Sequence, residues 1–455
     1  MDGTLIFLFL SLGLADAAPS CVQTQHLRAT RPNLSGEVET LDSDSGGFRI
    51  HYTMEGVDRA EGGVDEEGVP YMARRVAEAM EEGARIFAQR GYRSVNLDDG
   101  REGSDAIDVY LKEIDANGYA NVAEGVDGKD SCFVRIDTGL GSTGGQILES
   151  VAMHELHHCV QYAYTTETDT FLYEATATFE QYLAIDDDAL DIALNILYVD
   201  RLEHPEFALA NTDGRYHYAG LLFLKFLAEY RSSDLGRIPA LWVTLEQEPD
   251  WEEALWAEAR RVWDQSFDEV FLEYAVYNAF ACARDDGAHY DSSYLPCTAN
   301  VEVPFIERAE NTTSVEVSLS EPKYSATYVR WTQPTPGLVP ELLCSAPAAS
   351  TAELRVSWEQ LDDTGGALSR TSAVIIDGGT RLVLNTPTPD GATLLATFAS
   401  TGEAPVVATC VLEEVALASS GCTCISASRV PLRGSQWFLW GLPLLFMGWR
   451  LRRVR

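Results

Sequence analysis

The hydrophobic pattern of this chain changes near residue 300, and this change constrains the fold more than any other feature. Between about residues 172 and 282 apolar residues recur at helical spacing, for example in Tyr218–Tyr230, and helices are expected to dominate. From Val301 to about Leu412, short runs rich in β-branched residues alternate with Pro, Gly and Thr, which is typical of a β-sandwich. A chain of 455 residues has room for about two or three domains.

The part before residue 172 mixes both periodicities. Phe48–Thr53 alternates apolar and polar residues and is predicted to be a strand, and Pro70 begins a predicted helix with an apolar stripe. Asp108–Ile114 and Cys132–Ile136 are two further predicted strands. The fold class is therefore α+β, with a small mixed sheet and a helical half followed by a β-sandwich-like domain. We place these two domains at residues 47–300 and 301–415.

The next predicted helix carries the residues with the clearest chemistry. Thr143 and Gln146 fit a T-x-x-Q capping box at its start. The helix contains H-E-x-x-H, in which His154 and His158 are one turn apart and can present two imidazoles to one metal ion. Glu155 can reach a water on that metal without being a ligand. Because Zn²⁺ lowers the pKa of such a water, we expect Glu155 to act as general base in peptide-bond hydrolysis.

A catalytic zinc needs a third protein ligand and an open fourth position. The acidic residues that follow His158 are Glu167, Asp169, Glu174 and Glu180. Glu174 is the preferred ligand, because it lies in a second helical segment that a short turn can return to the metal. Glu167 and Asp169 lie in the polar connection and are expected to be solvated. Glu180 is expected to face a different side of its helix.

Transition-state stabilisation needs a hydrogen-bond donor near the metal. Tyr216, His217 and Tyr218 precede a helix after Glu174 and are the candidates, of which we favour Tyr218. Packing of a tyrosine at a helix start is the alternative interpretation.

An H-E-x-x-H helix followed by a glutamate from the next helix resembles the gluzincin pattern. The HYT strand, the H-E-L-H-H-x-V-Q-Y helix and the Y-E-A-x-A segment resemble a family of secreted metallopeptidases known largely from myxobacteria, from about Phe48 to Cys297. The resemblance implies a zincin-like metallopeptidase fold with one catalytic Zn²⁺. It implies the base Glu155 and the ligands His154, His158 and Glu174.

One position departs from this pattern. Many gluzincins carry E-x-x-x-D, but the residue four positions after Glu174 is Thr178. Support for the His154 ring is therefore expected either from the Thr178 hydroxyl or from elsewhere in the fold.

The N-terminus has the features of an export signal. Leu5–Leu14 is an apolar run too short to span a bilayer, and small residues that suit cleavage follow it. We assign residues 1–18 to a signal peptide and 19–46 to a linker or leader. In an exported chain the nine cysteines are disulfide candidates. The expected pairs are Cys132–Cys159, Cys282–Cys297 and Cys344–Cys410.

The C-terminal tail, residues 416–455, has six arginines and no acidic residue. Cys422 and Cys424 precede the apolar run Trp437–Trp449, which is shorter than the roughly 20 residues of a comfortable membrane span. This order resembles the MYXO-CTERM-type sorting tails of myxobacterial surface proteins. The resemblance implies an extracellular or outer-surface protein whose tail is processed and is the only part to contact the membrane. A simple membrane anchor is the alternative.

The net charge of −37 excludes a nucleic-acid partner, because phosphate binding needs a basic surface. Acidic clusters near Asp42, Asp98 and Asp187 are candidate Ca²⁺ sites, with solvated turns as the default. The sequence therefore predicts a zinc endopeptidase acting on protein or peptide substrates. The alternative is a surface adhesion or binding protein with a vestigial zincin fold. The oligomeric state and the substrate preference do not follow from the sequence.

Overall fold

The computed structural model describes residues 29–416, apart from 99, 144–145, 186, 291–293, 300, 302, 309–313, 320–322, 347–353, 363–364, 376–378 and 403–404. The predicted signal peptide and the predicted sorting tail lie outside the described residues. In the part of the chain that is described, no helix is both long enough and apolar enough to cross a membrane.

A five-stranded mixed sheet forms the N-terminal layer, in the order β1-β2-β3-β5-β4. The central strands β2, β3 and β5 run parallel, whereas β1 and β4 pair antiparallel at the two edges. The central strands were predicted; β1 lies within the segment assigned as a linker or leader, and β4 lacks a clear alternating pattern. The strands are β1 Val38–Asp42, β2 Phe48–Thr53, β3 Ile107–Lys112, β4 Gly118–Glu124 and β5 Asp130–Asp137.

Helices cover one face of this sheet and form the helical half. The first begins after Pro70, as predicted, and buries Met72, Val76, Met80 and Phe87. It ends at Gly91, whose left-handed φ of 100° favours glycine. The helices are α1 Tyr71–Arg90, α2 Ile147–Tyr162, α3 Thr170–Ala184, α4 Asp188–Glu203, α5 Tyr216–Ala219, α6 Leu221–Glu229, α7 Arg237–Leu245, α8 Trp251–Trp263 and α9 Phe267–Ala279.

The motif helix α2 starts differently from the prediction. Its N-cap is Gln146, without a side-chain cap, and the Thr143 hydroxyl donates to the carbonyl of Leu140. The capping-box prediction is therefore wrong, because the preceding 3-10 turn takes up the hydroxyl that would have capped the helix. Helix α3 has a true cap, since the Asp169 carboxylate accepts from the backbone N–H of Phe171.

The C-terminal part contains two antiparallel-rich sheets packed face to face, ordered β11-β10-β13-β8-β6 and β12-β9-β14-β7. Their facing side chains, including Trp331, Trp358 and Phe398, form one buried core. The strands are β6 Phe305–Arg308, β7 Ser314–Leu319, β8 Ser325–Trp331, β9 Leu338–Ser345, β10 Leu354–Leu361, β11 Ala367–Ile375, β12 Thr380–Val383, β13 Thr393–Ser400 and β14 Val406–Ala416. The mixed helix-and-sheet class is thus confirmed.

Contacts join the helical half to the five-stranded sheet of the sandwich. The Tyr328 hydroxyl donates to the Ala275 carbonyl at 2.9 Å, and both terminal nitrogens of Arg370 reach Glu273 at 2.9 Å. The sandwich is therefore docked on α9 rather than on the motif helix. All three predicted disulfides, Cys132–Cys159, Cys282–Cys297 and Cys344–Cys410, are present, which fits an exported protein.

Candidate metal centre

Three candidate ligands meet where α3 packs against α2. His154 Nε2 lies 3.2 Å and His158 Nε2 lies 3.6 Å from Glu174 Oε2. Among the described residues these form the one group of three or more His, Cys, Asp or Glu side chains with ligand atoms within 4.8 Å of one another. The structure therefore brings together the three side chains that the sequence singled out as ligands.

The outer nitrogen of each histidine is held by a glutamine. Gln161 Oε1 lies 2.7 Å from His158 Nδ1, while its Nε2 donates to the Tyr173 carbonyl. Gln181 Oε1 lies 2.9 Å from His154 Nδ1, and its Nε2 donates to a serine hydroxyl on α2. Because each amide oxygen must accept, each Nδ1 carries a proton, and Nε2 is the nitrogen of each ring that can bind a metal ion in place of a proton.

Gln181, rather than Thr178, supports the His154 ring. The Thr178 hydroxyl oxygen is buried and has no hydrogen-bond partner among the described residues, so support for His154 comes from Gln181. Neither glutamine was predicted from the sequence as a site residue. A usable signal existed, because Gln161 follows His158 by three residues and Gln181 follows Glu174 by seven, which are same-face helical spacings.

Glu155 lies against the edge strand β4. A Cβ atom at Gly118 would sit 2.6 Å from Glu155 Cγ and 2.7 Å from its Oε1, so only glycine permits this close approach. The backbone of Ala120 on the same strand hydrogen-bonds the Glu155 carboxylate. Burial raises the pKa of Glu155 above its ordinary value, against the opposing effect of the two histidines. The Glu155 carboxylate is thus held in a fixed position and binds a proton more tightly than an exposed glutamate does.

The electrostatics of the ligand set favour a bound cation. Burial disfavours charge on both partners, yet the attraction between Glu174 and His158 prevails. It raises the pKa of His158 to about 9 and holds that of Glu174 well below its ordinary value. A carboxylate that retains its charge in a buried site is a strong ligand for a cation that can replace the proton.

Of the three aromatic candidates, Tyr218 is the one for which the structure shows a ring contact with a candidate ligand. Its ring centroid lies 6.1 Å from that of His154, and the charge of Glu174, followed by burial, raises its pKa. The phenol therefore keeps its proton and can donate a hydrogen bond. Tyr216 instead donates to the backbone carbonyl of His204, and the His217 ring lies beside Tyr218 at 4.1 Å.

Of the three other acidic residues that follow the motif, Glu180 and Asp169 stabilise the fold. Glu180 is buried and pairs with Arg90 and the hydroxyl of Tyr92, on a different face of α3 from Glu174. Glu167 is exposed as expected. Asp169 is half-buried and caps α3, so its prediction as a solvated residue is wrong.

The calcium hypothesis gains no support from the acidic clusters. Asp42 pairs with Arg49, and the buried Asp98 pairs with Arg31. Their carboxylates are thus engaged by arginines. Asp99 and Asp186 lie outside the described residues.

No family model and no curated protein matches this sequence. Similar solved structures include the enzymatically active domain of tailspike protein 4 of bacteriophage CBA120, at 21% identity over 22% of this chain and 15% of that chain, with a TM-score of 0.19. TmCBM61 bound to β-1,4-galactotriose matches at 8% identity over 22% of this chain and 65% of that one, with a TM-score of 0.16. A family GH115 4-O-methyl-α-glucuronidase matches at 9% identity over 59% of this chain and 40% of that one, with a TM-score of 0.17. This chain covers less than two thirds of each of these, and scores this low carry no argument about fold or function.

Proposed function

We propose that this protein is an exported, zincin-like peptidase in which His154, His158 and Glu174 hold one Zn²⁺. The observation that carries the proposal is the convergence of three ligand atoms beside a buried glutamate, with both imidazoles oriented by glutamines. Two imidazole nitrogens and one carboxylate oxygen form a donor set that catalytic zinc uses, and it leaves a coordination position open. In such a site, hydrogen bonds to the nitrogens that do not bind the metal fix the orientation of the imidazole rings.

The residues around the ligands can share the work of peptide hydrolysis. When bound, Zn²⁺ supplies Lewis acidity at the carbonyl and the attacking water. Glu155 takes the proton of that water and later passes it to the leaving amine, a task that suits its raised pKa. Tyr218 donates a hydrogen bond to the oxygen on which negative charge develops. Glu155 and His158 are buried, which keeps these groups in a partly dry environment.

The substrate in this proposal is a protein or peptide in extended conformation. The β4 edge ends the sheet directly beside Glu155, and an extended peptide can add to such an edge through main-chain hydrogen bonds. An endopeptidase acting outside the cell or at its surface is the activity we propose. Attachment through residues 416–455 belongs to the same proposal.

Zinc content and casein hydrolysis together test this function. We expect about one zinc per chain in the purified protein by elemental analysis, and loss of that zinc in Glu174→Ala. Glu155→Gln should keep the zinc but reduce casein hydrolysis at least 100-fold, on the order expected for loss of a general base. Glu167→Ala, at an exposed position, is the matched control and should retain both.

Two results would contradict the proposal. A folded wild-type protein that binds no zinc would favour the alternative of a surface-binding protein with a vestigial site. Zinc binding without hydrolysis of casein or gelatin would leave a structural metal site and exclude a general endopeptidase.

A further inference from the structure

Along the edge strand β4, the backbone N–H and C=O groups of successive residues point alternately toward β5 and toward the open edge of the sheet. The carbonyl of Asn117, directly before β4, accepts a hydrogen bond from the N–H of Asp137 at the end of β5. The backbone groups of Asn117 therefore point toward β5. In an antiparallel pair the N–H and C=O of one residue point to the same side and successive residues alternate. Gly118, Ala120 and Val122 therefore direct their backbone groups away from β5, toward the open edge.

The open edge is used at both ends of this short stretch. At one end Gly118 and Ala120 lie against Glu155, and the Ala120 carbonyl accepts a hydrogen bond from the Tyr162 hydroxyl at 3.4 Å. At the other end the carbonyl of Val122 already accepts a hydrogen bond from the backbone N–H of Ala29, at 2.9 Å. Ala29 of the same chain thus occupies the edge at Val122, which is the next outward-facing residue after Ala120.

Residues 29–35, which we term the N-terminal strap, run from β4 across the outer face of the sheet. Arg31 binds Asp98 at 2.5 Å and Asp108 at 2.9 Å, and both carboxylates are fully buried. The guanidinium also lies 5.8 Å from the ring centroid of Phe133. Farther along, Lys112 donates to the carbonyl of Asn33 at 3.2 Å. Moving Arg31 away would leave two buried carboxylates without their cation, which is strongly unfavourable, so the strap is an anchored element.

We propose that the N-terminal strap determines substrate specificity by closing the β4 edge beyond Ala120. Adjacent outward-facing residues of a strand are two positions, or about 7 Å, apart. A peptide that adds to this edge at Glu155 replaces the hydrogen bonds that Ala120 makes to Glu155 and Tyr162, and it has room to pair about two residues on the strap side before it meets Ala29. On the opposite side of the cut bond the edge of β4 ends at Gly118, where the strand begins. This inference rests on the proposed peptidase function.

The test measures how kcat/KM depends on peptide length. A blocked peptide with one bond that the enzyme cuts, identified from a casein digest, is extended with alanine one residue at a time on either side. We expect kcat/KM to rise for the first two residues added on the strap side and then to stay within two-fold. An antiparallel peptide shows the limit on its N-terminal side, and a parallel one on its C-terminal side.

Two variants loosen the strap by different routes. Arg31→Ala removes the buried ion pairs, and Ala29→Pro removes the N–H that bonds Val122, so the second remains informative where the first fails to fold. In each, kcat/KM for the peptide with four residues on the limited side should rise at least five-fold relative to the peptide with two. Arg85→Ala, which breaks an exposed pair with Glu82 on α1, is the control and should keep the wild-type ratio.

Hydrogen exchange supplies a second readout. The amide of Ala29 should exchange slowly in the wild type and at least ten-fold faster in Arg31→Ala. Two results would overturn the role of the strap but not the proposed peptidase function. One is a wild-type kcat/KM that keeps rising as the peptide is extended on both sides. The other is a ratio of kcat/KM between the four-residue and two-residue peptides that is the same in the strap variants as in the wild type. Failure of the zinc-loaded wild type to cut any peptide would instead overturn the proposed function on which the strap proposal stands.

Discussion

Replacement of Gln161 by leucine tests the outer contacts of the proposed metal site. The side chain is fully buried and bridges two helices, with its amide oxygen 2.7 Å from His158 Nδ1 and its amide nitrogen 2.9 Å from the Tyr173 carbonyl. Leucine has a similar volume but can neither accept nor donate. Gln161→Leu therefore leaves the His158 Nδ1–H without its partner and allows the ring to turn away from Glu174.

The size of the effect can be worked out in two ways. Loss of an outer-shell partner of a metal-bound histidine typically weakens metal binding about 10- to 100-fold. An unsatisfied buried donor costs about 1 to 3 kcal/mol, and about 1.4 kcal/mol corresponds to one factor of ten in affinity. The two estimates agree, and we expect the zinc dissociation constant to rise about 30-fold in Gln161→Leu.

Competition with a chromophoric chelator at constant pH measures this constant directly. Gln247→Leu, at an exposed position between α7 and α8, is the matched control and should bind zinc as the wild type does. A dissociation constant for Gln161→Leu within two-fold of the wild type, in a variant with unchanged circular dichroism, would refute the reasoning that this glutamine orients His158.

Three further predictions concern single features of the structure. Tyr218→Phe should lower kcat about 100-fold with KM and zinc content unchanged, and equal kcat would exclude the phenol as the oxyanion donor. His157 is fully buried with both ring nitrogens unpartnered among the described residues, and burial holds its pKa well below 6.5. His157 stays neutral in the folded state, so the free energy of unfolding decreases as the pH falls below the pKa of a histidine in the unfolded chain. Urea unfolding between pH 8 and pH 5 should show a loss of stability about 2 kcal/mol larger in the wild type than in His157→Leu. Parallel pH profiles of the two proteins would contradict this prediction. Removal of the Cys132–Cys159 disulfide, which joins β5 to α2 across 27 residues, by a double alanine substitution should lower the free energy of unfolding by about 3 kcal/mol, and a loss below about 1 kcal/mol would show that the helix is fixed without it.

The strands and helices with strong local periodicity could be predicted from the sequence. Phe48–Thr53, the helix after Pro70 and the β-branched runs beyond residue 300 fold as their patterns indicate. Strand β4 was missed because Gly118–Glu124 is an edge strand with small and polar residues, whose pairing comes from β5 rather than from its own propensity. The capping box failed for a related reason, since a hydroxyl can bond any nearby carbonyl.

By itself the sequence determined which residues can share a helix face and which side chains carry the chemistry. His154 and His158 are one turn apart in any α-helix, so their convergence needs no tertiary information. Only the tertiary structure decided that Glu174 meets them while Glu180 turns to Arg90, and that Gln181, rather than Thr178, holds the His154 ring. The distance and rotation between two packed helices depend on side chains all around their interface. No local spacing encodes that geometry, and the same holds for the strap that brings Ala29 to the edge of β4.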